Sequence, residues 1–290
     1  MLLYDVLVAP FADFTFMRRA LVGACALAIG SSPLGVFLML RRMSLTGDAM
    51  GHAILPGAAI GYILAGLSLP AMALGGLVAG IAVAFLTGFV SRVSDLREDA
   101  SLAVFYLLSL ALGVVLVSAK GSNIDLLHVL FGTALALDNA ALFLIVGIAS
   151  VTLVGLAVIF RPLVAECVDP VFLRSVSRAG APTHFVFLLL VVLNLVAGFQ
   201  ALGTLLAVGV MMIPAATARL WTQDLTAMVL LAALTGVLSG YCGLLLSYHF
   251  GTPTGPAIIL TAGVFYGVSF LVVMAAKLRR RFGLVRHLEA

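Results

Sequence analysis

Charge is scarce in this chain. Asp, Glu, Lys and Arg make up 10% of its 290 residues, against about 25% in a soluble domain. Apolar side chains make up 63%, and the mean hydropathy is +1.24. A soluble fold is excluded, because so few polar groups cannot cover a water-facing surface. Cysteine is sparse too. Cys25, Cys167 and Cys242 are isolated, with no CxxC and no evident pair, so each reads as a packing residue, not a disulfide or metal ligand. Period-2 alternation is missing, which excludes barrel strands. No GxxxxGK[ST] phosphate loop occurs, so nucleotide energy has to come from another subunit. No GxSxG elbow or HExxH helix occurs either, which argues against an enzyme. The N-terminus has no signal-peptide pattern, and its first long apolar run, after Arg18 and Arg19, reads as a retained span. The net charge of +4 sits at the ends of apolar runs, where membrane topology places it, and implies no nucleic acid.

What remains is a series of apolar runs, each long enough for a span of about 20 residues. They cover residues 20–40, 49–67, 71–90, 101–118, 140–160, 185–213, 226–248 and 256–277. The expected fold is an all-α integral membrane protein, a polytopic bundle of eight or nine transmembrane helices. It forms one domain over 1–290, interrupted by a cytoplasmic segment at about 161–184. The run 185–213 would reach about 43 Å as one helix, more than a core of roughly 30 Å needs. The "AGFQALG" stretch, Ala197 to Gly203, offers a turn, giving nine crossings with the N-terminus outside. Of the 16 Lys and Arg, only Arg18, Arg19 and Lys120 then fall outside, and the "KLRRR" tail is cytoplasmic. Glycines four apart, such as Gly57 and Gly61, Gly236 and Gly240, or Gly263 and Gly267, imply close helix packing. Pro214 is expected to end a helix at "MMIPAATA".

Ionisable groups inside the runs are few. Asp48 and His52, in "SLTGDAMGHAILPGAAIGY", lie four apart and so on one helical face. A carboxylate and an imidazole suit zinc, manganese or ferrous iron. They suit equally a helix start at Asp48 with His52 bonded to a neighbouring carbonyl. Asp125 and His128 share a face in a loop, and His249 lies in a Gly- and Pro-broken turn at the same side. All three are candidates for an outer gate. His184 and His287 read as incidental. The polar stretch Arg161 to His184 reads as a short amphipathic helix after Asp169 and Pro170, ending near Gly180.

"LRRMSLTGDAMGHAILPG" (Leu40 to Gly57), "LLHVLFG" (Leu126 to Gly132), "LGTLLAVGVMMIPAATARL" (Leu202 to Leu220) and "SYHFGTPTGPAIIL" (Ser247 to Leu260) resemble, in order, the metal-ion permease family of ABC importers. The resemblance implies a permease of the vitamin B12/siderophore-like kind in a bacterial inner membrane. It implies Asp48 and His52 as metal ligands, with "GH" at Gly51 and His52 where the family usually has "SH". It also implies a second permease copy, two cytoplasmic ATPases and an extracytoplasmic metal-binding protein as partners. Its coupling segment corresponds to "DPVFLRSVSRAGAP", with Asp169, Pro170, Phe172, Arg174 and Gly180, longer here than the family's usual form. No permanently bound cofactor is expected; the expected transported ion is zinc by preference, or manganese or iron. The competing expectation is an ion-coupled secondary transporter without an ATPase. An intramembrane aspartyl protease would need a second membrane aspartate to join Asp48.

Overall fold

The computed structural model describes residues 2–66, 68–94, 98–119, 137–169, 173, 175, 177 and 180–288. Every regular element among them is an α-helix. Two short helices, α1 (Leu2–Leu7) and α2 (Ala9–Asp13), lead into α3 (Thr15–Leu40). Then come α4 (Thr46–Ala53), α5 (Leu55–Ala65), α6 (Leu69–Val93), α7 (Glu98–Ala119), α8 (Asn139–Val168), α9 (Gly180–Leu202), α10 (Thr204–Trp221), α11 (Leu225–Phe250) and α12 (Thr254–Leu288). Eight helices, α3 and α6 to α12, are long and apolar enough to cross a membrane. The pair α4–α5 makes a further, broken segment. The expected all-α membrane bundle is the fold.

Contacts give the directions. Gly57 and Gly61 of α5 meet Gly75 and Ala71 of α6, so these two are antiparallel. The Ser109 hydroxyl of α7 donates to the Ala53 carbonyl and Gly113 faces Pro56, so α7 runs with α4–α5. α8 runs with α3, Gly30 meeting Ala149 and Arg41 meeting Glu166. α9 returns along α8 through Asn194 and Thr152. α11 runs against α3, and α12 against α11. The expected turn falls at Gly203, whose φ of 92° and ψ of 155° suit only glycine. A Cβ on Gly198 would lie 2.5 Å from that of Ala207, so the chain reverses there instead of bending. The described segments therefore pass nine times between two ends.

Lipid gives helices no hydrophobic reason to associate, so small residues and buried polar bonds hold the bundle. The pairs Gly57/Gly61 and Gly236/Gly240 pack as expected, the second against Ser32, Ala28 and Ala24 of α3. Gly263 and Gly267 do not: a Cβ on either meets nothing within 4 Å. Asn194 donates to Thr152 at 2.5 Å and to the Leu190 carbonyl at 2.9 Å in the core. Outward faces carry Phe85, Phe89, Phe143 and Val158, the apolar coat of a membrane protein.

One expectation fails at a proline. α10 does not stop near Pro214 but continues to Trp221. Proline removes the bond to the carbonyl four residues back, Val210, and the Ser32 hydroxyl of α3 donates to that oxygen instead, at 3.1 Å. α8 likewise passes through Arg161 and Pro162 to Val168. The stretch 161–184 is therefore partly helical: α8 holds its first residues, and α9 begins at Gly180.

Candidate metal site

Pro56 has no N–H to offer the His52 carbonyl, and the helix divides there into α4 and α5. α4 presents Asp48 in its first turn and His52 in its last. Leu45 occupies the N-cap position, and no side chain caps the helix, so Asp48 is not the cap. Its Oδ1 lies 3.7 Å from His52 Nε2, too far for a hydrogen bond and close enough to share an ion. Asp48 is 65% exposed and His52 29%. The His52 ring stacks near Tyr106 of α7, centroids 6.4 Å apart. Its Nδ1 is buried with no hydrogen-bond partner among the described residues.

Both side chains open into a groove of about 410 Å³ walled by Thr204, Val208 and Ile213 of α10 and Ile259 of α12. Gly51 lies between them on the same face, against Val208. α10 is about 27 Å long at 1.5 Å per residue, and the pair faces its stretch from Thr204 to Ile213, between its two ends. Asp48 also borders a second cavity of about 290 Å³, lined by Arg42, Met43, Asp99, Leu102 and Tyr106. Asp99 was missed in the sequence because it belongs to another helix, and only the parallel run of α4 and α7 brings it near. No group of three or more His, Cys, Asp or Glu side chains gathers among the described residues. As a metal site, Asp48 and His52 are a half-set.

His249 lies away from this groove, at the far end of α11. Its Nε2 is 3.1 Å from the Val6 carbonyl of α1, and Tyr241 donates to the Leu7 carbonyl at 2.9 Å. Asp169 and Gly180 stand at the ends of α8 and α9. Between them Leu173 N–H donates to the Asp169 carbonyl and Ser177 N–H to the Leu173 carbonyl, as in a helix. Asp125, His128, Pro170, Phe172 and Arg174 lie outside the described residues. His184 is not incidental: it is largely buried against Arg41 and Glu166.

The profile of the ABC 3 transport family matches residues 13–273, nine-tenths of the chain. The chain belongs to the ABC 3 transport family. It is similar to the manganese import system permease protein ScaB of Streptococcus parasanguinis, 34% identical over 260 residues, 90% of this chain and 91% of that one. It is equally similar to the manganese transport system membrane protein MntC of Listeria monocytogenes, 34% identical over 259 residues, with 89% and 91% covered. Among solved structures, PsaBC from Streptococcus pneumoniae in complex with Fab superposes with a TM-score of 0.81 at 31% identity, covering 93% of this chain and 95% of that one. An inward-facing, metal-chelate type ABC transporter superposes at 0.64 with 17% identity, covering 87% and 84%, and shares the fold. The ABC 3 chain is thus a multi-pass metal-ion ABC permease. Its relatives are named for manganese, and the preference for zinc finds no support among them.

Proposed function

We propose that two copies of this chain form the pore of an ATP-driven importer of divalent manganese, with Asp48 and His52 as transient ligands on its path. The placement of the pair carries this reading. Two ionisable side chains on one face of α4 open into a groove bordered by α10 and α12. A charge at the bilayer centre costs roughly 2.5–3.5 kcal/mol on insertion scales, so such a face belongs against protein or water, not lipid. A second copy laid over the groove covers it and brings a second half-set towards the first. Two protein ligands per chain leave most of the ion's shell to water or the partner, which suits an ion that has to leave again.

The donor set admits manganese as well as zinc. Carboxylate and imidazole are the donors, and no cysteine borders the groove. Manganese binds such donors more weakly than zinc does in the divalent series, so a loose site releases it readily. The relatives named for manganese favour that ion.

Soluble ATPases dock on the segment 169–180, with Asp169, Pro170, Phe172, Arg174 and Gly180 as contact residues. The end carrying Arg41, Arg42, Arg219 and Lys277 faces the cytoplasm of a bacterial inner membrane, by the excess of positive charge there. An external metal-binding protein meets the opposite end near His249, with Asp125 and His128 as further contacts. The deciding experiment is uptake of radiolabelled manganese and zinc by the reconstituted complex, with and without ATP. ATP-dependent manganese uptake that Asp48→Asn abolishes supports the reading. Uptake that ignores ATP but follows a proton or sodium gradient overturns it in favour of a secondary transporter.

A further inference from the structure

A second cluster of ionisable side chains is buried at the other end of α4's approach. Arg41, the residue that closes α3, donates from Nη2 to Glu166 Oε1 of α8 at 3.0 Å. The same nitrogen donates to Nδ1 of His184 on α9, since arginine can only donate. His184 Nδ1 lies 3.8 Å from Glu166 Oε1. Side-chain exposure is 9% for Arg41, 9% for Glu166 and 14% for His184. The guanidinium lies over the Phe187 ring, 5.3 Å from its centre, and Phe187 packs edge-on against Phe37 of α3.

Position makes this cluster more than packing. Glu166 precedes Asp169 by one helical turn, and His184 follows Gly180 by one. Both flanks of the segment 169–180 are therefore tied to a single guanidinium. On its other side Arg41 begins the link to α4, and that link is fixed. Arg42 adopts a φ of 58°. Its N–H donates to the Met39 carbonyl at 3.1 Å, and the Met43 N–H donates to Leu38 at 2.8 Å. This is a Schellman turn with arginine where glycine is usual. α4 and Asp48 follow directly.

We propose that Arg41, Glu166 and His184 are the positioning cluster that carries motion of the 169–180 segment to α4 and its Asp48–His52 pair. The proposal rests on the reading above that this segment receives the ATPase. If the ends of α8 and α9 shift against α3, either the cluster breaks or the rigid turn moves with them. Arg41 Nη1 and Glu166 Oε2 are buried without hydrogen-bond partners among the described residues. The pair therefore makes one of the two parallel bonds an arginine and a carboxylate can form, and has a second arrangement available. Bistable contacts of this kind turn small shifts into discrete states.

The test is manganese(II) transported per ATP hydrolysed, with the complete complex in proteoliposomes. Glu166→Gln removes one charge at constant shape. Arg41→Met with Glu166→Leu removes both, a replacement that usually leaves a fold as stable as before or more so. Arg41→Lys keeps the charge but loses the planar fork. The first two are expected to assemble, keep hydrolysing ATP and lose transported ion per ATP by roughly tenfold, within the range usual for coupled sites. Arg41→Lys is expected to fall between them and wild type. A wild-type ratio in the double variant makes the cluster packing only and overturns the proposal. Uptake and hydrolysis falling together place the loss in ATPase docking and overturn it too, as does failure of every variant to assemble. A wild-type complex without ATP-driven uptake overturns the underlying reading first, and is distinguishable because it appears before any substitution.

Discussion

The Ser32 hydroxyl donates to the Val210 carbonyl at 3.1 Å, the oxygen that Pro214 leaves without its helical partner. α3 and α10 are thus joined at a point where α10 has a gap in its own ladder. In lipid no water can fill that gap. Ser32→Ala strands a buried carbonyl and is expected to cost about 1–3 kcal/mol. Pro214→Ala restores the N–H, so the two substitutions together should cost less than their sum. Unfolding of the four proteins in detergent measures this; strict additivity would show that the hydroxyl and the proline act independently.

The turn at Gly203 separates α9 from α10 at a backbone conformation closed to other residues. Gly203→Ala is expected to lose about 1–3 kcal/mol, the usual cost of forcing a side chain into such a region. Thr204→Ser, at the adjacent ordinary helical position, is expected to cost little by the same measure. Thermal midpoints in detergent decide between them.

Glycine spacing alone does not tell packing from surface. A Cβ on Gly57 would stand 1.9 Å from the Gly75 carbonyl oxygen, whereas one on Gly263 meets nothing within 4 Å. Gly57→Ala is therefore expected to force α5 from α6, at about 1–3 kcal/mol or more. Gly263→Ala should not destabilise the monomer. If Gly263→Ala weakens the assembled complex while sparing the monomer, α12 lies at the interface between copies.

The helical passes are legible in the apolar runs, because lipid demands about 20 apolar residues per span. The break after Ala197 was visible for the same reason: one helix would have been too long. Pro214 misled because its cost depends on whether a neighbour supplies a donor, and Ser32 is remote in sequence. The Asp48–His52 pair is legible because i, i+4 spacing is local. Asp99 and the Arg41–Glu166–His184 cluster are not: Arg41 lies 125 residues from Glu166 and 143 from His184. Nothing in "LRRMS" distinguishes Arg41, whose side chain is 9% exposed, from Arg42, which is exposed.

Ion preference can be read from His52 directly. Imidazole serves zinc well, while a carboxylate pair suits manganese. His52→Asp keeps a donor on the same face of α4, opposite Val208 and one turn from Asp48. It should retain manganese uptake far better than His52→Ala, which is expected to fall at least about tenfold, the loss that even outer partners of a metal can cause. Zinc should inhibit His52→Asp more weakly than wild type, because the nitrogen that favours it is gone. Competition between labelled manganese and unlabelled zinc at several ratios measures the change. Equal zinc inhibition in both proteins would mean that His52 does not touch the ion, leaving Asp48 as the only protein ligand on α4.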